Sequence, residues 1–222
     1  EQRTATPMID LGLFRRRAFS AAIASGLLSY LVLFGVLFVV PFFLEQARHA
    51  SPTRAGLELT VLPLAIGVTA PAAGRIADRV GARLPTAIGM AVTTAGLMLA
   101  ALVHPGTTAI LLELAVIGLG LGAFTPANNA AIMSNAPREH SGMTGGVLNM
   151  TRSVGTAFGV AVTGLVFGVA SRAHTVTSGP GPAGRGFAAA LWVLAAASAA
   201  AAVLAALRTV SVGHHSTTPA VP

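Results

Sequence analysis

The chain has 222 residues, of which 54% are hydrophobic and only 9% are charged, and its mean hydropathy is +0.74. Soluble domains carry about a quarter charged residues and disordered chains are polar, so this composition excludes both classes. The chain has no cysteine, which excludes disulfide scaffolds, thiol catalysis and cysteine-bound zinc. Its net charge is +7, and all of its basic residues are arginine.

Six long apolar runs follow one another along the chain and predict six transmembrane helices. A helix needs about 20 apolar residues to cross the hydrocarbon core, and each run approaches or exceeds that length. Lipid offers the backbone no hydrogen-bond partners, and the runs lack the alternation of barrel strands, so we expect an all-α membrane protein. The runs are 18–44, 55–74, 85–103, 108–133, 144–170 and 187–207.

The apolar runs divide the chain into three parts. Residues 1–17 form a cytoplasmic linker, residues 18–208 form the six-helix transmembrane domain, and residues 209–222 form a polar tail that we expect to be disordered. Apolar residues and three arginines in PMIDLGLFRRRAF (7–19) fit a short helix lying along the inner membrane face. A simple stop signal before the first span explains the same pattern, and both interpretations stay open.

The distribution of arginine orients the six spans. With a cytoplasmic N-terminus, inner segments hold nine arginines and outer segments hold four, so the positive-inside rule favours cytoplasmic placement of both ends. The scattered arginines show no basic stripe with interleaved aromatic residues, so the charge indicates inner loops and not nucleic-acid binding. The inner arginines are Arg3, Arg15, Arg16, Arg17, Arg75, Arg79, Arg83, Arg138 and Arg208; the outer ones are Arg48, Arg54, Arg172 and Arg185.

A charged segment with a defined spacing follows the second apolar run. It has the order G-x-x-x-D-R-x-G-x-R, and we call residues 74–83 the signature loop. Glycine would let two helix ends approach closely or allow a tight reversal, and the carboxylate could accept hydrogen bonds from a helix N-terminus or pair with arginine. Such a loop could hold one conformation and release it; a loop that only sets topology is the alternative. Its marked residues are Gly74, Asp78, Arg79, Gly81 and Arg83.

The signature loop resembles the loop between the second and third helices of each half in the major facilitator superfamily. The family pattern ends in two basic residues, whereas here the first of them is Ala82 and only Arg83 remains. The segments PFFLEQARHASPTRAGLELTVLP (41–63) and GLGLGAFTPANNAAIMSNAPREHSGMTGGVLNMTRSVGTAFGVAV (118–162) resemble helices of one branch, the fourteen-helix drug:proton antiporters. The similarity extends over nearly all of 7–208.

This resemblance implies the C-terminal half of a major facilitator fold, built as two inverted three-helix repeats over 18–103 and 108–207. It implies a carrier of the cell inner membrane that exports amphipathic, often cationic, small molecules in exchange for protons by alternating access. The implied partners are the substrate, protons, the lipid bilayer and a missing N-terminal half. A membrane module that binds a partner without transporting is the alternative function.

Polar residues inside the spans are candidates for the lining of a cavity or gate. Arg152 lies about two turns into the fifth run, where a charge requires a partner, water or a route to the interface. Asn128 and Asn129 follow Pro126 in the fourth run, and Asn149 precedes Arg152 by about one turn. Hydrogen bonding between helices is the alternative for the asparagines.

Two glutamates near the outer ends of their spans are weaker candidates for a proton-linked group. Burial raises the pKa of a carboxylate, so Glu58 or Glu113 could carry a proton, but we expect both to be solvated. We expect the stronger proton site in the missing half.

Enzymatic chemistry finds no support in the sequence. No nucleophile–base pair is recognisable, and the six histidines lie in loops or the tail without metal-ligand spacing. The glycines at 118, 120 and 122 lie inside an apolar span without a preceding strand, so they do not indicate a nucleotide site. The GxxxG pairs at 155/159 and 164/168 fit close helix packing. We therefore expect neither enzymatic activity nor a cofactor.

Overall fold

A computed structural model of the chain describes residues 17–102, 107–134, 141–172 and 181–207. The predictions for the N-terminal segment 7–16 and for the tail 209–222 lie outside this described part. Within it the chain forms seven helices and no strand. The helices are α1 (Arg17–Arg48), α2 (Pro52–Leu59), α3 (Val61–Val80), α4 (Arg83–Leu102), α5 (Thr107–Ser134), α6 (Ser141–Arg172) and α7 (Pro182–Ala206).

Six helical segments in the described residues are long and apolar enough to cross a membrane, which confirms the predicted fold class. The short helix α2 and the longer α3 together make the second of these segments. Successive spans run in opposite directions, so the charged segments collect at the two ends of the bundle. We call them the Arg48 end, with the α1–α2 connection, and the Asp78 end, with the α3–α4 connection.

The second predicted run differs from the observed helices at both of its ends. Ser51 caps α2, its hydroxyl accepting from the backbone N–H of Arg54 at 3.4 Å, and Pro52 occupies the first turn. Helices α2 and α3 meet at Thr60, whose backbone keeps helical angles (φ −62°, ψ −20°) and whose hydroxyl donates to the carbonyl of Leu57 at 2.6 Å. At the other end α3 continues to Val80, because its charged last turns can be helical outside the hydrocarbon core.

The packing of the helices has the symmetry that the inverted repeats predict. Helix α1 packs against α6 and α7, whereas α5 packs against α3 and α4. The third helices of the two repeats, α4 and α7, pack against each other, and α1 also contacts α5. Each repeat therefore buries its first helix against the second and third helices of the other repeat.

Glycines allow these helices to approach closely, as small residues do in membrane proteins. A Cβ atom on Gly159 would lie 2.5 Å from the carbonyl oxygen of Leu31, and one on Gly155 would lie 2.7 Å from that of Leu27. This confirms the close-packing interpretation for the first GxxxG pair. Of the second pair, Gly164 lies near Phe38, but no described atom lies within 4 Å of a Cβ built on Gly168.

Helices α3 and α6 are the least buried spans. Only 17% and 22% of their most apolar windows are buried, against 39% to 50% for the other spans. Both present large apolar side chains on the surface, including Val68 on α3 and Leu165 on α6. The described bundle thus leaves two of its six spans mostly uncovered by protein.

Candidate functional site

The signature loop is shorter than the sequence indicates, because most of its residues are helical. Asp78 and Arg79 lie in the last turns of α3, and Arg83 opens α4. Between the helices Gly81 adopts φ 84°, a conformation that favours glycine, and its N–H donates to the carbonyl of Ala77 at 2.9 Å. The predicted tight reversal at Gly81 is therefore confirmed.

The residues of the signature loop do not converge on one point. Arg83 Nε donates to the carbonyl oxygen of Ala206 at 2.8 Å and so joins α4 to the last turn of α7. A cation at a helix C-terminus also interacts favourably with the helix dipole. Asp78 and Arg79 are exposed, and no described atom lies within 4 Å of a Cβ built on Gly74. The close approach expected at Gly74 is thus absent among the described residues.

Asn128 lies between α1 and α5. Its side chain is only 1% exposed, its Nδ2 donates to the carbonyl of Ala22 at 3.2 Å, and its Oδ1 accepts from the Ser25 hydroxyl at 3.4 Å. Gly26 makes room for this amide, since a Cβ there would lie 2.9 Å from Nδ2. These contacts support the alternative of helix–helix hydrogen bonding, while a role in a cavity stays a prediction.

The remaining polar candidates are less buried than Asn128. Asn149 and Arg152 are exposed on α6, and Asn129 is half-buried on α5. The guanidinium carbon of Arg152 lies 5.9 Å from the centroid of the Tyr30 ring on α1, at the limit of a cation–π contact. The exposed surface of α6 therefore places a positive charge within the length of a span.

The two glutamates at the Arg48 end are buried. Glu58 is 8% exposed and Glu113 is 5% exposed, so the expectation that both are solvated is wrong. Arg54 Nε donates to Glu58 Oε1 at 2.9 Å across one helical turn. Packing of α2 against α1 and α5 places these carboxylates inside the bundle, which their position near span ends did not indicate.

A polar contact between α4 and α7 was not predicted from the sequence. The Ser198 hydroxyl donates to the carbonyl of Met90 at 3.1 Å and lies 2.9 Å from the Thr94 hydroxyl. Small hydroxyl residues inside an apolar run are the signal that could have identified it. Among the described residues no group of three or more histidines or acidic residues could hold a metal ion.

The chain matches one protein-family model and is similar to several known transport and resistance proteins. The family model described as Major Facilitator Superfamily matches residues 22–221. The multidrug resistance protein Stp of Mycobacterium tuberculosis is 30% identical over 168 residues, which are 75% of this chain and 31% of Stp. The methylenomycin A resistance protein of Streptomyces coelicolor is 32% identical over 172 residues, 75% of this chain and 35% of the relative.

The name of a third relative states a different substrate. The riboflavin transporter RibZ of Clostridioides difficile is 36% identical over 156 residues, which are 68% of this chain and 34% of RibZ. The chain therefore spans about a third of the length of the curated relatives that it matches.

Proposed function

Because the chain belongs to the major facilitator superfamily, a family of membrane transporters and not of enzymes, we propose that it forms the second half of a fourteen-helix drug:proton antiporter. In this proposal the complete carrier exports amphipathic small molecules across the cell membrane in exchange for protons. The names of Stp and the methylenomycin resistance protein favour a drug-like substrate, and that of the riboflavin transporter marks how far substrates vary among relatives.

The observation that carries this proposal is the uneven burial of the spans. Less than a quarter of the most apolar window is buried in the spans of α3 and α6. In α1 and in α5, which pack against these two helices, half of that window is buried. A bundle that is one body of an alternating-access carrier needs a second body to rock against. A companion half seated along α3 and α6 would supply that body and would enclose an aqueous cavity.

Arg152 and Asn149 are suited to line this cavity. Both are exposed on α6, and a charge within a span is expensive unless it faces water or a partner. In the proposed carrier these side chains face the companion half, while Asn128 holds α5 on α1 behind them. Asn129, half-buried on the same helix, is the second candidate from α5.

The signature loop is assigned two separate roles in this proposal. Arg83 fixes the end of α7, whereas the exposed Asp78 and Arg79 remain available to a neighbouring body. The loop would then stabilise one conformation of the carrier through Asp78. In this proposal the Asp78 end and both ends of the chain are cytoplasmic, which the arginine distribution favours.

Two locations are proposed for the proton-linked group, one in this chain and one in the companion half. Glu58 and Glu113 are candidates within this chain because both are buried carboxylates at the Arg48 end. A carboxylate in the companion half is the alternative, and it is the one that we favour.

Dye export by living cells tests the two-body proposal. The chain expressed alone should insert into the membrane without exporting dye, and co-expression with the proposed companion half should restore export. In the restored pair, Arg152→Ala should reduce export, whereas Arg172→Ala, which changes an exposed arginine at the end of the same helix, should not. Export by the chain alone would contradict the proposal.

A further inference from the structure

We propose that a cavity at the Arg48 end binds a phosphodiester whose alcohol part carries a hydroxyl group, as in the head group of phosphatidylglycerol. The cavity has a volume of about 290 Å³. This is close to the lower limit of small-molecule sites, about 300 Å³, so the cavity fits a head group and not a whole lipid. Its wall consists of Leu44 and Arg48 of α1, Ala50 of the connection, and Arg54 and Glu58 of α2.

The charges of this wall favour an anion. Its described residues include two arginines and one glutamate, which gives a formal charge of +1. The guanidinium carbon of Arg48 lies 5.9 Å from the centroid of the Phe43 ring, and Arg54 Nε donates to Glu58 Oε1 at 2.9 Å. A guanidinium carries five N–H donors and binds phosphate oxygens through paired hydrogen bonds. A phosphate group in the cavity would therefore accept from arginines of both α1 and α2.

Glu58 adds the requirement for a hydrogen-bond donor. It is 8% exposed, and its Oε2 is buried without a hydrogen-bond partner among the described residues. A buried carboxylate oxygen without a donor is unfavourable. Rotation about the last side-chain bond of a glutamate is only weakly restricted, so a small turn brings this oxygen toward the cavity. A hydroxyl group beside the phosphate would then donate to Oε2 in a charge-assisted hydrogen bond.

A hydroxylated phosphodiester meets both requirements, whereas simpler ligands meet one. A carboxylate without a hydroxyl would bind the arginines but leave Oε2 of Glu58 without a donor. A cation would satisfy Glu58 but would be repelled by two arginines. In the proposed complex the phosphate faces Arg48 and Arg54 and the hydroxyl faces Glu58. Leu44 and Ala50 of the same wall contact the carbon atoms between these groups.

The position of the cavity suits the head group of a lipid. It lies where α1 ends at Arg48 and α2 begins at Pro52, at the end of a transmembrane helix. Basic pockets between transmembrane helices bind anionic head groups in this way. Glycerophosphoglycerol, the soluble part of phosphatidylglycerol, has the same chemistry without the acyl chains. A binding experiment separates these two sources of the ligand.

Native mass spectrometry of the 222-residue chain in detergent tests the site without requiring transport. The probes are phosphatidylglycerol and phosphatidylmethanol with the same acyl chains; both carry one negative charge, but only the first has hydroxyl groups on its head group. We expect phosphatidylglycerol to bind at least about tenfold more tightly, because a hydrogen bond to a charged group is gained. Equal affinities would overturn the proposal, and this comparison needs no variant protein.

Competition with glycerophosphoglycerol identifies the source of the ligand. If it displaces phosphatidylglycerol, the head group alone is sufficient and the site accepts a soluble ligand. If it does not, while the preference over phosphatidylmethanol persists, the ligand is the lipid. Both results support the proposed chemistry.

Replacing Glu58 tests whether the preference for the hydroxyl group comes from its carboxylate. Glu58→Gln keeps the shape of the side chain and removes its charge. The preference for phosphatidylglycerol should fall at least about threefold, because a neutral hydrogen bond is roughly half as strong as a charge-assisted one. Glu45→Gln is the matched control, since Glu45 is exposed near the end of α1 and does not line the cavity. An unchanged preference in Glu58→Gln would overturn the site.

Replacing Arg48 tests the phosphate contact. Arg48→Gln should weaken the binding of both lipids at least about tenfold, because both have the same phosphate group. Arg172→Gln, which changes an exposed arginine that does not line the cavity, should leave both affinities unchanged. Equal losses in the two arginine variants would mean general attraction to positive charge and would overturn the site.

Discussion

The contact between α1 and α6 at Gly159 gives the sharpest prediction for the stability of the bundle. A Cβ on this glycine would lie 2.5 Å from the carbonyl oxygen and 3.0 Å from the Cα of Leu31. Both atoms belong to the backbone, so a side-chain rotation cannot relieve the overlap and Gly159→Ala must move α6 away from α1. Overpacking of this kind costs about 1–3 kcal/mol.

Gly168→Ala is the matched control on the same helix, because no described atom lies within 4 Å of its Cβ position. Alanine is favoured over glycine in a helix by about 1 kcal/mol, and this gain is common to both variants and cancels. The overpacking difference corresponds to a melting temperature roughly 2–12 °C lower for Gly159→Ala than for Gly168→Ala. Thermal unfolding of the purified chain in detergent, followed by the fluorescence of Trp192, measures it. Identical melting temperatures would refute the close packing of α1 and α6.

Three further predictions concern the polar residues. Arg83→Ala removes the hydrogen bond to α7, so amide hydrogen exchange in the last turn of that helix should become faster, whereas the control Arg79→Ala should leave it unchanged. Equal exchange in both variants would contradict the assignment of Arg83. Asn128→Leu removes two interhelical hydrogen bonds, worth about 0.6 kcal/mol each, and should lower the melting temperature, whereas Asn149→Leu, at an exposed position, should not. If the two leucine variants melt alike, Asn128 does not hold α5 on α1. Asp78→Asn should lower dye export by the complete carrier more than it lowers membrane abundance, with export and immunoblot measured on the same cells. Wild-type export by an abundant Asp78→Asn protein would assign the signature loop to topology alone.

The number and order of the spans follow from the sequence because hydrophobic length is a local property. A run of about 20 apolar residues has few alternatives to a transmembrane helix. The reversal at Gly81 was predictable for a similar reason, since only its own backbone conformation is involved. The GxxxG spacing likewise identified Gly155 and Gly159, because residues four apart share one helix face.

Properties that depend on a distant helix were not predictable. The burial of Glu58 depends on how α2 packs against α1 and α5, and the position of Asn128 depends on a carbonyl more than a hundred residues away. The role of Arg83 depends on where α7 ends. The boundary between α2 and α3 at Thr60 was not predicted, because threonine interrupts neither the apolar character nor the length of the run.

Dye movement in proteoliposomes tests the central claim, that this chain is one half of a proton-coupled exporter, most directly. The complete carrier, in which this chain is joined to the proposed companion half, is reconstituted beside vesicles that hold the chain alone, and a pH gradient is imposed across both. We expect dye movement against its concentration gradient in the first vesicles, abolished by a protonophore, and none in the second. Proton-driven dye movement by the chain alone, or dye movement by the complete carrier that persists after the pH gradient has been collapsed, would contradict it.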